Sequence, residues 1–312
     1  MGLVISTVNM KGGVGKTTLT VNLATCLAKN HGKRVLVVDL DSQINATLSL
    51  MQPQEFARVR REKHTLGQLI YKEIKLNSRI KRTTQEVIKS EVCQIKTLDL
   101  LPGDIDLYDE YLVSELLHYK AINDARCDFS DIWNRFEEQL IKSILAPVIN
   151  DYEFIFLDCA PGYNLLTRSG IVASDFYLLP ARPEPLSIVG IKLLEGRIAK
   201  LKESYGDDSC LKAQLLGIVF ILTSGGLFDR YYKQVMQRVT GDFSPNQIFE
   251  NRIPLDVNVA KAVDYFMPAV IASPNSSGSK AFFKLAEEFL QKLEIAENSP
   301  PVQNPLNLAE YD

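Results

Sequence analysis

A glycine-rich loop near the start of the chain constrains the fold more than any other feature. The loop reads KGGVGKTT from Lys11 to Thr18, and it lies between an apolar run, residues 3–8, and a helical pattern that begins at Lys16. A strand, a loop of glycines with exposed backbone N–H groups and a helix N-terminus together form a site for phosphate oxygens. The loop therefore predicts an α/β fold with a phosphate site at one edge.

Each part of this loop has a predicted role. Lys16 should reach the β- and γ-phosphates of a nucleotide, Thr17 should hold Mg²⁺, and Thr18 should lie beside the α-phosphate. The strict form of the loop has a glycine where this chain has Met10. The residues predicted to bind the nucleotide here are Gly12, Gly13, Val14, Gly15, Lys16, Thr17 and Thr18.

Apolar runs and helical patterns alternate along the chain. The runs that predict strands buried on both faces are residues 3–8, 34–39, 154–157, 175–180 and 215–222. The patterns that predict helices are residues 16–30, 137–148, 186–203, 230–240 and 279–294. The alternation predicts a twisted parallel sheet with helices on both faces.

One domain over residues 1–295 accounts for this pattern. Residues 51–135 are the least regular part, and we expect them to elaborate the domain. Residues 296–312, ENSPPVQNPLNLAEYD with the preceding Ala, are rich in Pro and Asn and are predicted to be a disordered tail.

Three carboxylates follow two of the predicted strands. Asp39 and Asp41 belong to RVLVVDLDSQINAT, residues 34–47, and stand two apart, so both should project on the same side of one strand. Asp158 ends the apolar run of YEFIFLDCAPGYNLLT, residues 152–167. Acids at the carboxyl ends of adjacent strands suit phosphoryl transfer, which depends on positioning and charge neutralisation.

The loop and the acidic segments resemble those of the ParA, Soj and MinD family of partition and cell-division ATPases, whose phosphate loop has the deviant form KGGxGKTT. The resemblance runs from about residue 3 to 294 and is weakest over 51–135. It also covers three later segments: LPARPEPLSIVGIKLL (179–194), GIVFILTSGGLFDRYYKQV (217–235) and ENRIPLDVNVAKAVDYFMPAV (250–270).

This resemblance implies hydrolysis of ATP with Mg²⁺. It implies that Lys11 reaches across an ATP-sandwich dimer to the partner's phosphates and that Asp41 positions or activates the attacking water. It also implies that Asp39 helps to order the magnesium shell and that Asp158 binds Mg²⁺ through water, beside Thr17. Lys11, Lys16 and Asp41 are thus the predicted catalytic residues.

The same resemblance implies a place for the adenine, between Thr223 and the turn formed by Ile253 and Pro254. Two positions depart from the family pattern in the loop after the first acid. Ser42 and Ile44 stand where Pro and Gly are usual. These departures predict an altered flexibility of that loop.

The family implies an ATP-dependent homodimer that binds DNA without sequence preference at the nucleoid, in the cytoplasm, and an adaptor of the ParB kind that stimulates hydrolysis. The family's DNA-contacting arginines are replaced here by Leu255 and Asn258. Residues 51–90 hold ten Lys and Arg against four Glu, whereas residues 99–138 hold three against eleven acids. The basic segment 51–90 could therefore contact DNA in their place. Further candidate DNA contacts are Lys192, Arg197, Lys200, Lys202, Arg252 and Lys261.

Two alternatives remain at this stage. A MinD-like switch would bind membranes through a basic amphipathic C-terminal helix, but the last helical pattern has an apolar face and mixed charge, followed by a tail that is not basic. A carrier of iron–sulfur clusters would need paired cysteine ligands. The chain instead has five scattered cysteines, namely Cys26, Cys93, Cys127, Cys159 and Cys210.

Overall fold

A single parallel sheet forms the centre of the protein. The structure is a computed structural model that describes residues 1–74, 82–123, 128–205, 211–223, 234 and 243–298. Within these residues the strand order is β3-β2-β4-β1-β5-β6-β7. The strands are β1 Leu3–Thr7, β2 Val35–Leu40, β3 Leu98–Leu101, β4 Phe154–Cys159, β5 Phe176–Ala181, β6 Gln214–Thr223 and β7 Ile253–Pro254.

Helices cover both faces of this sheet. The first six described are α1 Lys16–His31, α2 Asn45–Leu50, α3 Pro53–Arg61, α4 Leu66–Ile74, α5 Thr84–Val87 and α6 Glu110–Asn123. Those that follow are α7 Phe129–Leu145, α8 Leu165–Val172, α9 Pro185–Ser204, α10 Val257–Lys261, α11 Ala269–Ala272 and α12 Ser277–Asn298.

The alternation of side chains along each strand divides the core in two. In β4, Phe154 and Phe156 pack with α1 and α12 on one face, whereas Ile155 and Leu157 pack with α7 and α8 on the other. Because both faces are apolar, β4 consists of six buried residues, Phe154–Cys159. The predicted architecture of a parallel sheet between two helical layers is confirmed.

All five predicted strands are present, but the sheet has two more among the described residues. The strand β3, at one edge, lies in the segment 51–135 that lacked a clear pattern, and β7 forms the other edge. A main-chain bridge between Lys89 and Leu100 lies antiparallel along the outer side of β3. The segment 51–135 therefore contributes to the central sheet as well as to the surrounding helices.

The predicted helices also agree with the structure where it describes them. The predicted helix 230–240 lies outside the described residues except at Gln234. The last helix, α12, ends at Asn298, so the first residues of the predicted tail are helical. The rest of that tail, 299–312, lies outside the described residues.

The carboxyl ends of three central strands define the site. The register pairs Asp158 of β4 with Thr7 of β1 on one side and with Asp39 of β2 on the other. Because side chains in register on parallel strands share one face, these three lie in a row on the side covered by α1.

Candidate active site

The phosphate loop leaves β1 and turns directly into α1. Gly15 precedes the helix with φ 92°, a left-handed conformation that favours glycine. A Cβ there would come 3.1 Å from Cγ2 of Ile221 in β6, so the loop also requires a residue without a side chain. No side chain caps the helix at this position. The N-terminus of α1 can therefore offer its N–H groups to an anion.

Lys16 lies inside this loop rather than in solvent. Its side chain is buried, and Nζ donates to the main-chain oxygens of Lys11 at 3.1 Å and Asn9 at 3.4 Å. Burial lowers the pKa of Lys16, and the nearby carboxylates Asp158 and Asp41 oppose that shift. A buried ammonium within a ring of main-chain groups is suited to bind an anion that enters the loop.

Two threonines of α1 hold the carboxylate of Asp158. Thr17 Oγ1 donates to Oδ2 at 2.7 Å, and Thr20 Oγ1 donates to Oδ1 at 3.0 Å. The sequence motif contains Thr17 but not Thr20. Thr20 could have been found from its spacing, because residues three apart on a helix face the same way.

Asp39 is fully engaged by its own neighbours. Oδ2 accepts hydrogen bonds of 2.8 Å from both N and Oγ1 of Thr47, and Oδ1 accepts one of 3.2 Å from the main-chain N of Asp41. The Thr47 hydroxyl oxygen also accepts from the N–H of Gly103, which follows β3. Asp39 thus joins the start of α2 to the end of β2, a role that the sequence pattern did not reveal.

Asp41 stands at the first position of a tight turn that leads into α2. Its carboxylate accepts from the main-chain N of Gln43 at 3.0 Å, and its main-chain oxygen accepts from the N of Ile44 at 2.9 Å. Ile44 has φ 51°, a left-handed conformation that is rare for a β-branched residue, and its side chain is buried. A strained residue therefore fixes the turn that carries Asp41.

Burial, together with the charge of a neighbouring carboxylate, raises the pKa of two of these acids. Desolvation, followed by the charge of Asp39, raises the pKa of Asp158 to about 7. Desolvation also raises the pKa of Asp39 to about 6, against the hydrogen bonds from Thr47. Two neighbouring carboxylates with such values favour the binding of a cation between them and the loop.

Lys11 lies on the outer side of the loop and contacts its own subunit. Its Nζ is 3.0 Å from Oε2 of Glu184, the residue before α9, and its side chain is 44% exposed. The main-chain N of Lys11 donates to Asn9 Oδ1 at 2.9 Å. Within the subunit Lys11 thus pairs with Glu184, and its contact with the phosphates of a partner subunit stays a prediction.

The predicted adenine contacts lie together at the far edge of the sheet. In the register of β6 and β7, Thr223 pairs with Pro254 and Ile221 pairs with Ile253. The residues that follow Thr223 lie outside the described residues. The position of the adenine therefore stays a prediction.

The basic segment 51–90 is partly neutralised by the acidic segment that follows it. Arg60 Nε is 3.1 Å from Asp104, and Arg60 Nη2 is 2.6 Å from Asp106. Within the basic segment itself, Lys89 Nζ is 2.7 Å from Glu55. The net charges of the two segments thus cancel in part across space, and Lys75, Arg79 and Lys81 lie outside the described residues.

The other candidate DNA contacts differ in their surroundings. Arg197 is exposed on α9, where Lys202 instead donates to the main-chain oxygen of Ala213 at 3.0 Å. The side chain of Asn258 donates to Asp256 at 3.0 Å. Asp256 also accepts from N of Gly278 at the start of α12, so this loop is held against that helix.

The described part of the chain contains no group of three or more His, Cys, Asp or Glu side chains arranged to hold a metal ion. Cys26 and Cys159 are buried and Cys93 is half-buried, whereas Cys127 and Cys210 lie outside the description. Of the helices that the structure describes, none combines the length and apolar character that a membrane crossing requires.

Comparison with known proteins gives consistent relatives. The model of the AAA domain family AAA_31 matches residues 2–211. The chain is 28% identical to the sporulation initiation inhibitor protein Soj of Bacillus subtilis over 288 residues, 92% of this chain and 98% of Soj. It is 27% identical to the chromosome partitioning protein ParA of Myxococcus xanthus over 295 residues, 94% of this chain and 89% of ParA. The structure of the cell division ATPase MinD of Pyrococcus furiosus has a TM-score of 0.63 and 27% identity, covering 94% of this chain and 100% of MinD.

Proposed function

The chain belongs to the AAA_31 family and to the ParA, Soj and MinD group of ATPases, and on this premise we propose that it is a ParA-like positioning ATPase. Two copies enclose ATP and Mg²⁺, the dimer binds DNA of any sequence, and an adaptor of the ParB kind stimulates hydrolysis. The cargo is a plasmid, a chromosome or a protein organelle. The protein acts in the cytoplasm, at the nucleoid.

The observation that carries this proposal is the arrangement of opposite charges around the phosphate loop. Lys16 is buried within the loop, and Asp158 faces it from β4, held by Thr17 and Thr20 of α1. A cationic loop at a helix N-terminus supports binding of the phosphates, and the acids beyond it support binding of a cation. ATP with Mg²⁺ supplies both the phosphates that suit the loop and the cation that suits the acids.

The donor atoms fit Mg²⁺, which prefers oxygen ligands. The hydroxyl of Thr17 and the carboxylate of Asp158 lie within hydrogen-bond distance, and the buried hydroxyl of Thr7 has no hydrogen-bond partner. Thr17 would bind the ion directly, and Asp158 would accept hydrogen bonds from its water ligands. A bound Mg²⁺ would supply neutralisation of the phosphate charge.

Hydrolysis requires a carboxylate that orients the attacking water. Asp41 is proposed for this role because its turn follows β2 next to Asp39, and because its carboxylate takes a single hydrogen bond, from Gln43 N, among the described contacts. Asp39 is already engaged by Thr47 and Asp41 itself. We therefore assign Asp39 to holding the turn, and its part in the magnesium shell remains indirect.

Dimerisation depends on Lys11 in this proposal. Two bound ATP molecules at one interface concentrate negative charge, which a lysine from the facing subunit can neutralise. The half-exposed pair with Glu184 is a weak surface interaction, so Lys11 can leave it for a phosphate. The Lys11 contact with Glu184 belongs to the separate subunit, and the contact with the partner's phosphate belongs to the dimer.

The decisive experiment compares the wild type with Lys11→Ala in sedimentation velocity and in DNA binding by fluorescence anisotropy. The wild type should dimerise and bind duplex DNA in Mg-ATP but not in Mg-ADP, and its DNA affinity should fall by roughly tenfold or more between low and physiological salt. Lys11→Ala should bind ATP as a monomer and lose dimerisation, hydrolysis and DNA binding together.

Two control variants sharpen this test. Lys33→Ala removes a lysine that pairs with Glu153 away from the loop, and it should behave as the wild type. Glu184→Ala releases Lys11 without removing it, and it should retain ATP-dependent dimerisation. An ATP-dependent dimer of undiminished stability in Lys11→Ala would contradict the proposed role of Lys11, and equal DNA affinity in ATP and ADP would contradict the switch.

A further inference from the structure

The loop after β4 contacts both the phosphate loop and helix α9. A Cβ at Gly12 would lie 4.0 Å from Cβ and Cγ of Pro161, so Pro161 packs directly beside the phosphate loop. Gly162 follows with φ 96° and turns the chain. The hydroxyl of Tyr163 then donates a hydrogen bond of 3.0 Å to the main-chain oxygen of Arg197, in the middle of α9. The segment from Pro161 to Tyr163 therefore connects the nucleotide-facing loop with α9.

Two guanidinium groups lie near the ring of Tyr163. The Cζ atom of Arg168 is 5.6 Å from the ring centroid, and that of Arg197 is 5.4 Å from it. Both distances lie within the range at which a cation is attracted to the ring. Tyr163 thus contacts the exposed side chain of Arg197 as well as its main-chain oxygen.

Arg168, one of the two arginines near this ring, is fixed to the rest of the protein. Arg168 Nε is 2.6 Å from the buried carboxylate of Glu137, and Arg168 Nη1 donates to the main-chain oxygen of Tyr163 at 3.1 Å. Glu137 also accepts a hydrogen bond of 3.2 Å from the hydroxyl of Tyr205, which follows α9. A buried, fully hydrogen-bonded pair holds its geometry, so Arg168 supports the ring from one side.

Helix α9 is consequently attached at two places, once to the phosphate loop and once to the loop after β4. Its first contact is the ion pair between Lys11 and Glu184, just before the helix begins. The second is the contact of Tyr163 with Arg197, three turns further along. Since Lys200 is also exposed on α9, this helix carries exposed cations and contacts the loop that lies beside the phosphate loop.

We propose that Tyr163 is the positioning residue that passes the nucleotide state from the loop after Asp158 to the basic side chains of α9, and so makes DNA binding depend on ATP. This inference rests on the proposed function, of which it specifies the regulation. A shift of Pro161 when the γ-phosphate arrives or leaves displaces Tyr163, and Tyr163 carries the main chain and guanidinium of Arg197 with it.

Hydrogen–deuterium exchange of α9 tests this inference without DNA. We compare the wild type with Tyr163→Ala, Tyr163→Phe and Tyr205→Phe, each saturated with Mg-ADP or a slowly hydrolysed Mg-ATP analogue. In the wild type, amide exchange in α9 should differ between the two nucleotides by roughly fivefold or more. Tyr163→Ala should abolish this difference, and Tyr163→Phe, which keeps the ring but loses the hydrogen bond to the main-chain oxygen of Arg197, should reduce it.

Tyr205→Phe is the matched control, because it removes a tyrosine hydroxyl from the same Glu137 network without touching the loop after β4. It should retain the wild-type difference. If α9 in Tyr163→Ala still responds to the nucleotide as in the wild type, the inference is wrong. It is equally wrong if Tyr205→Phe abolishes the response, because the effect would then come from the network rather than from Tyr163.

DNA binding provides the second measurement. The ratio of DNA affinities in ATP and ADP should fall by about tenfold or more in Tyr163→Ala, while the ATP affinity stays within about twofold of the wild type. A wild type that binds no DNA but shows a Tyr163-dependent response of α9 would reject the proposed DNA function and keep the coupling of α9 to the nucleotide through Tyr163. A wild type that binds DNA in an ATP-dependent manner, with no change in Tyr163→Ala, would keep the proposed DNA function and reject the inference about Tyr163.

Discussion

The phosphate-loop edge of the sheet and the basic segment 51–90 contrast in how their charged residues are arranged. At the loop edge, Lys16, Asp39 and Asp158 are buried, and each side chain has hydrogen-bond partners fixed by the fold. In the segment, Arg60 is 40% exposed and pairs with Asp104 and with the exposed Asp106.

This difference shows which charges can be interpreted from sequence. Buried charges need partners of defined geometry, so residue types at the loop edge are restricted to particular spacings. Exposed charges tolerate many partners, and their count along the chain does not indicate what lies beside them in space. The following predictions test this contrast, beginning with the buried lysine.

Replacement of Lys16 by Ala should have the largest effect. It removes the buried ammonium that faces the phosphates, and ATP affinity should fall by about 100-fold or more, close to 3 kcal/mol. Isothermal titration with Mg-ATP measures the loss. Lys29→Ala, on the same helix at its far end, should bind ATP normally. Wild-type affinity in Lys16→Ala would show that the nucleotide site lies elsewhere.

The raised pKa values of Asp39 and Asp158 predict how stability depends on pH. Both pKa values, about 6 and about 7, lie above those of the unfolded chain, so the folded protein binds more protons between about pH 4 and 7. The free energy of unfolding without nucleotide should therefore decrease as the pH rises through this window. Glu195, whose pKa burial raises to about 7, adds to the same trend.

Asp158→Asn isolates the contribution of one acid. At pH 8 its free energy of unfolding, measured by urea titration, should exceed that of the wild type by about 1–2 kcal/mol. This difference should shrink towards pH 5. ATP hydrolysis should be lost at every pH. The exposed Asp151→Asn is the control and should leave the pH profile unchanged. A wild-type profile in Asp158→Asn would mean that this carboxylate is charged in the free protein.

Substitutions of Ile44 should change stability by a smaller amount, and they test whether the left-handed conformation at this position is strained. Both Ile44→Ala and Ile44→Gly lose a buried side chain, but only glycine accepts φ 51° without strain. Glycine should therefore be the more stable of the two by about 1 kcal/mol, the reverse of the order found in helices. Urea unfolding of both variants measures the difference. A more stable alanine variant would indicate that the turn relaxes when the side chain is lost.

The parts of the fold that were predictable are those with a repeating pattern or a chemical requirement. The strand β4 was found because both its faces are buried, and the phosphate loop because few residues can form it. The strand β3 was missed because it is only four residues long, Leu98–Leu101, and one of them is Asp99. Asp99 accepts a hydrogen bond of 2.8 Å from Tyr152, a partner that only the folded chain brings close.

The roles of Asp39, within β2, and Asp41, directly after it, could not be separated from sequence for the same reason. Asp39 and Asp41 are both aspartates and stand two residues apart. Their roles differ because the hydroxyl of Thr47 donates a hydrogen bond to Asp39. The coupling through Tyr163 was likewise invisible, since Arg168 and Arg197 meet the ring from different helices. Contacts between distant segments are what the linear pattern lacks.

Arg60→Ala should have the smallest effect. Arg60 is 40% exposed and its partner Asp106 is exposed. The buried Asp104 keeps its hydrogen bonds from Thr65 and from the main-chain N of Asp106, so the loss of stability should be about 1 kcal/mol. DNA affinity should remain within about twofold of the wild type, because the guanidinium is already neutralised. The neighbouring Arg61→Ala is the comparison, since Arg61 is exposed. A large and selective loss of DNA affinity in Arg60→Ala would mean that Arg60 leaves Asp104 and Asp106 to contact DNA.

The two edges of the sheet determine how this protein can avoid uncontrolled aggregation. Open edges of a sheet can recruit strands from other molecules, and lysine, proline and short strands oppose this. The outer side of β3 already has its main-chain groups engaged by Lys89, with hydrogen bonds of 2.8 and 2.9 Å to Leu100. The strand β7 at the opposite edge is two residues long and ends in Pro254, which has no N–H to donate. Among the residues that the structure describes, neither edge offers a long run of free main-chain groups, so copies of the protein at high local concentration would have little opportunity to join sheet to sheet.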